Sequence, residues 1–84
     1  MRTVAGAIAE ARAALVSAGV PLHEAAGDAE VLARHVLGWD FTAFALGRNE
    51  PVPTGFDRAF GELVTRRSRR EPVSQIVGHR DRRA

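Results

Sequence analysis

Helix-stopping residues divide this chain into short pieces: Gly19, Gly38, Gly47, the pair Glu71-Pro72 and Gly78 each close a segment whose apolar residues recur three and four apart. That punctuation predicts an all-α fold, a small bundle of about five helices near residues 3–18, 23–37, 41–46, 55–69 and 72–77. With 84 residues the chain is a single domain at most, and a domain of that size buries only about 60% of its unfolded surface.

The first helix is expected to start at a Thr3 cap and to carry Val4, Ile8, Ala11 and Leu15 on one face. Its many alanines give it high propensity and let neighbours come close. In the second helix Ala25, Ala26, Ala29, Leu32, Ala33, Val36 and Leu37 fall on one broad face, flanked by Asp28 and Glu30. Glu30 and Arg34 are also an i,i+4 pair in the favourable order. Asp40 is a cap for the short third helix, which places Trp39 and Phe44 at the two positions of a hydrophobic staple. After the loop from Arg48 to Pro53, Thr54 is expected to cap a fourth helix with Phe56, Phe60, Leu63 and Val64 on its inner face. These aromatic and aliphatic residues should share one core with Ile8, Leu15, Leu32 and Val36. Pro72 disfavours helical geometry at Glu71 and suits the first turn of a fifth helix bearing Val73, Ile76 and Val77.

The composition excludes several classes of function. There is no cysteine, hence no disulfide framework or thiolate metal site, and such a composition suits a reducing cytoplasm. No apolar run reaches the roughly 18 residues of a membrane span, and the alanine-rich start carries Arg2, Glu10 and Arg12 in place of a signal-peptide core. Gly-x-Gly, phosphate-loop and nucleophile-elbow patterns are absent. His23, His35 and His79 are too scattered for a metal motif, and Asp28 and His35 make at most a local pair. No catalytic, cofactor or metal-binding residue is therefore expected.

Charge is uneven. All twelve cations are arginine, and from Arg66 onward seven of them face only Glu71 and Asp81, although the net charge of the whole is +2. Arg66, Arg69, Arg70 and Arg80 are candidates for contact with an anionic partner, against the plainer reading of cations favoured at a solvated helix end. Arg67 continues the apolar face of the fourth helix and needs a carboxylate, for which Asp28 and Glu30 are the candidates. A nucleic-acid module is the alternative use of such a cluster, but no base-reading helix with Asn, Gln or Lys is evident, so direct nucleic-acid binding is not expected.

Two stretches carry a resemblance: Asp28-Ala-Glu-Val-Leu-Ala-Arg-His-Val-Leu-Gly38 and Arg66-Arg-Ser-Arg-Arg-Glu-Pro-Val-Ser-Gln-Ile-Val-Gly-His-Arg-Asp81. In order and spacing they resemble the N-terminal domain of the release factor glutamine methyltransferases, the PrmC or HemK family, over essentially the whole chain. The resemblance implies a bundle of about five helices that precedes a methyltransferase domain using S-adenosylmethionine. It also implies a partner, a peptide chain release factor, which the domain helps hold while the glutamine of a Gly-Gly-Gln loop is methylated. The family's methyl-donor loop and Asn-Pro-Pro-Tyr motif are missing, and Arg82-Arg83-Ala84 departs from the family where an aromatic residue and a strand are expected. Residues 1–84 thus read as one helical N-terminal domain ending at a linker, with the release factor and its own methyltransferase domain as partners. A purely structural cap on that domain is the alternative.

Overall fold

A computed structural model describes residues 1–78. It contains five helices: α1 (Val4–Ser17), α2 (Leu22–Leu37), α3 (Phe41–Gly47), α4 (Phe56–Ser68) and α5 (Val73–Gly78). No strand is present among the described residues, where the one β feature is an isolated antiparallel bridge between Thr3 and Pro51. No helix is long and apolar enough to cross a membrane.

Helices α1 and α2 form the broadest contact, α4 lies against both, and α5 packs on α2 and α4. The alanines make this possible, because Ala7, Ala11, Ala25, Ala29 and Ala33 are buried where larger side chains would hold the helices apart. Leu15, Val20, Leu32, Phe56, Phe60 and Ile76 fill the space between them, with Ile8, Val36, Leu63 and Val64 packed at the edge of the same cluster. Phe56 and Phe60 stack on each other with ring centroids 5.0 Å apart. Ala26 departs from the expected inner face of α2: it is exposed, because the α1 and α4 contacts take up a narrower arc than the apolar stripe offers.

Local chemistry sets most helix ends. The Thr3 hydroxyl accepts from the Gly6 amide at 3.1 Å, and Asp40 Oδ1 accepts from the Ala43 amide at 2.8 Å. Gly38, at φ 71°, lets α2 end in the left-handed conformation that a side chain rarely adopts. The fourth helix differs from expectation, since Thr54 does not cap it. The Phe56 amide donates to the Pro53 carbonyl in a turn, and Gly55 at φ 86° stands at the cap position without a side chain to offer. The turn chemistry of Pro53 and Gly55 overrides the capping preference of Thr54.

The loop before α4 has a role that its composition does not reveal. The carbonyls of Glu50 and Arg48 accept from the Val4 and Ala5 amides at 3.0 and 2.8 Å, so the loop closes over the first turn of α1. The Val52 amide returns a bond to the Arg2 carbonyl. Arg2 then pairs with Glu10 of α1 and Asp57 of α4, each at 2.7 Å, and both hydrogen bonds, that of Glu10 foremost, raise its pKa above the ordinary arginine value.

Candidate partner-binding surface

The arginine-rich end of α4 is a Schellman turn built without glycine. The Arg70 amide donates to the Arg67 carbonyl and the Glu71 amide to the Arg66 carbonyl, the two bonds that define the motif. Arg70 occupies the left-handed position at φ 74°, the only non-glycine residue with positive φ among those described. The usual apolar contact across this turn is replaced by an ion pair in which Arg66 Nε and Nη2 grip both oxygens of Glu71. That grip raises the Arg66 pKa.

The four arginines named from the sequence therefore have different company. Arg66 is held by Glu71. The Arg70 guanidinium lies against Gly19, where Nη2 would stand 2.8 Å from a Cβ, so it spans from the α4–α5 junction to the turn after α1. Arg69 is exposed and carries no carboxylate partner among the described residues; it lines an open groove on the outer side of α4 with Asp57, Arg58, Gly61, Glu62, Thr65 and Arg66. Arg80 lies outside the described residues.

Left-handed geometry costs a non-glycine residue about 1 kcal/mol. Arg70→Gly should therefore raise thermal stability by up to about 1 kcal/mol if the Gly19 contact contributes little. A thermal melt that falls instead would show that the Arg70 side chain earns its strained backbone through that contact.

Arg67 turns inward. Its Nε donates to Asp28 Oδ2 at 2.8 Å and its Nη2 to Glu24 Oε1 at 3.5 Å, tying α4 to α2. Glu30, the other candidate, does not reach it and instead faces Arg34 on its own helix at 3.9 Å. Residues 28 and 30 are about 200° apart on a helix, so only one of them can face α4.

A second surface lies around α3, the helix least engaged with the rest. Phe44 is its buried anchor, and Trp39 covers its far end, where a Cβ on Gly47 would stand 2.6 Å from the indole. Phe41, Thr42, Ala45 and Leu46 are exposed, Phe41 by 65% and Leu46 by 83%. The guanidinium of Arg34 sits 5.8 Å from the Phe41 ring and that of Arg48 sits 5.4 Å from the Phe44 ring. Beside α3 a groove of about 200 Å³ runs between α1 and α2, lined by Ala5, Ile8, Ala9, Arg12, Ala26, Glu30, Phe44 and Arg48. The sequence shows this region as a capped helix with Trp39 and Phe44 at staple positions. The available signal was that none of its seven residues is charged.

Among the described residues no polar or charged side chain is buried, and no group of three or more His, Asp or Glu is placed to hold a metal ion. The chain has no Gly-x-Gly pattern of the kind that cradles nucleotide-like cofactors. What the surface offers is charge and apolar area for recognition.

Comparison with known proteins gives the family. Residues 6–78 match the family described as the PrmC N-terminal domain. The chain is 41% identical over 80 residues to the release factor glutamine methyltransferase of Corynebacterium glutamicum, covering 93% of this chain and 26% of that protein. The corresponding protein of Agrobacterium fabrum is 33% identical over 79 residues, covering 94% of this chain and 27% of its own length. That of Deinococcus radiodurans is 35% identical over 71 residues, or 84% of this chain and 25% of its own. No solved structure matches the chain significantly. The chain thus spans about a quarter of the length of the curated relatives it matches. On the match over residues 6–78, with a bundle of five helices in the same residues, the chain belongs to the PrmC N-terminal domain family.

Proposed function

We propose that this bundle is the substrate-recruiting domain of a peptide chain release factor N5-glutamine methyltransferase, working in the cytoplasm. In this reading it holds the release factor while a separate S-adenosylmethionine-dependent domain methylates the glutamine of the Gly-Gly-Gln loop. The observation that carries the reading is the family match over residues 6–78, to relatives four times as long that are named for this reaction. The character of the surface supports it: charged and apolar groups lie outside, and among the described residues no polar or charged side chain is buried. The exposed arginines of the α4–α5 junction, Arg69 foremost with Arg70, contribute contacts to the release factor or to the methyltransferase domain, as does Arg80 in the sequence that follows. Arg66 acts through its grip on Glu71, which fixes the turn, and the Arg67–Asp28 tie fixes α4 on α2.

The test is kinetic and uses the Corynebacterium glutamicum enzyme with its matching segment replaced by this chain or deleted. Recruitment predicts that the chimaera keeps the KM for release factor within about threefold of the parent, whereas deletion raises it at least about tenfold. A deletion that lowers thermal stability but leaves the KM for release factor unchanged would mean a structural cap and overturn the reading.

A further inference from the structure

We propose that the outward face of α3 and the groove beside it form one docking site for a protein segment that presents a carboxylate next to apolar side chains. The assignment rests on the recruitment reading above and names the surface that would carry it.

The face has the composition of an interface and not of a solvated helix. Phe41, Thr42, Ala45 and Leu46 are all exposed along α3 and none of them is charged, with the Arg34 guanidinium at the Phe41 edge. Exposing Phe41 and Leu46 this fully is a cost that burial by a partner removes.

The adjoining groove supplies the polar half. Its floor is apolar, made by Ala5, Ile8, Ala9, Ala26 and Phe44, and its charged walls are Arg12, Arg48 and Glu30. Glu30 faces Arg34, which leaves Arg12 and Arg48 without a carboxylate partner among the described residues. Arg48 follows Phe41 by seven residues and Phe44 by four, which puts it on the seam between groove and face. Two unanswered guanidiniums over an apolar floor are complementary to a carboxylate carried on an apolar segment.

Other occupants fit less well. A nucleic-acid backbone needs cations along its track, and α3 itself carries none, with Arg34 and Arg48 only at its margins. A second copy meeting this surface about a two-fold axis would bring Arg12 and Arg48 near their own equivalents, with no acid on α3 to answer them.

The experiment is a titration of the whole chain with a bacterial peptide chain release factor by surface plasmon resonance, at two salt concentrations. Wild type is compared with Phe41→Ser/Leu46→Ser and with Arg12→Gln/Arg48→Gln, and the thermal melts are recorded to show that each variant is folded. Both pairs should weaken binding at least about tenfold. The arginine pair alone should also flatten the salt dependence, a readout that loss of fold would not produce. Equal binding by the folded variants and wild type would overturn this site and leave the recruitment reading standing. No binding by wild type at either salt would overturn both. Sedimentation that shows wild type as a dimer and Phe41→Ser/Leu46→Ser as a monomer would assign the face to a second copy and overturn the proposal.

Discussion

Phe60→Ala should lower the unfolding free energy of this domain by about 3 to 4 kcal/mol. The ring is 3% exposed, stacks on Phe56 and sits in the cluster that joins α1, α2, α4 and α5, so truncation opens a cavity in the shared core. Native stabilities run from about 5 to 15 kcal/mol, and a small bundle with an alanine-rich interior belongs near the lower end. The substitution should therefore remove a large share of the total. Urea titration followed by circular dichroism would show it as a fall in midpoint with little change in slope. A loss under about 1 kcal/mol would mean that the cavity collapses, and that Phe56 alone holds α4 in place.

The second large effect concerns Arg67. Its side chain is only 14% exposed and that of Asp28 20%, so each guards the other against an unpaired, poorly hydrated charge. Arg67→Met should cost about 2 kcal/mol, less than the 3 to 5 of a fully buried pair because water still reaches one edge. Replacing both, as Arg67→Met with Asp28→Leu, should cost less than the sum of the single changes by about 1 kcal/mol or more. Glu30→Ala serves as the contrast, since Glu30 only meets Arg34 along the same helix and its loss should cost about 0.3 to 0.5 kcal/mol. A cycle with no coupling between Arg67 and Asp28 would mean that the tie does not hold α4 to α2.

How much of this was legible in the sequence depended on how local the cause is. Thr3 and Asp40 cap helices through bonds to residues three places on, and Gly38 ends α2 through its own backbone, so these could be read from short windows. The five helices follow, each within a residue or so of its expected ends. Thr54 failed because two local preferences competed, and the Pro53–Gly55 turn prevailed over the cap. The choice of Asp28 over Glu30 for Arg67 depends on how α2 is rotated against α4, which a wheel drawn for one helix does not contain. The loop carbonyls over the start of α1 are more remote still, since Arg48 and Glu50 meet Val4 and Ala5 across more than forty residues and through main-chain atoms that carry no sequence signature.

The surface followed the same rule. The arginine run was visible as composition, yet its meaning changed once Arg66 was seen to hold Glu71 and Arg70 to lie against Gly19. The uncharged face of α3 was equally present in the sequence and was passed over, because a seven-residue helix with a Trp beside it reads as packing. Only the exposure of Phe41 and Leu46 separates a docking face from a corner.

The central claim is that this bundle, apart from any methyltransferase domain, recognises a release factor. Isothermal titration of the 84-residue chain with a purified release factor tests it most directly. The account predicts saturable one-to-one binding that weakens as salt is raised, from screening of the exposed arginines. A flat isotherm from the folded chain, at concentrations where the whole Corynebacterium glutamicum enzyme binds the same release factor, would contradict it.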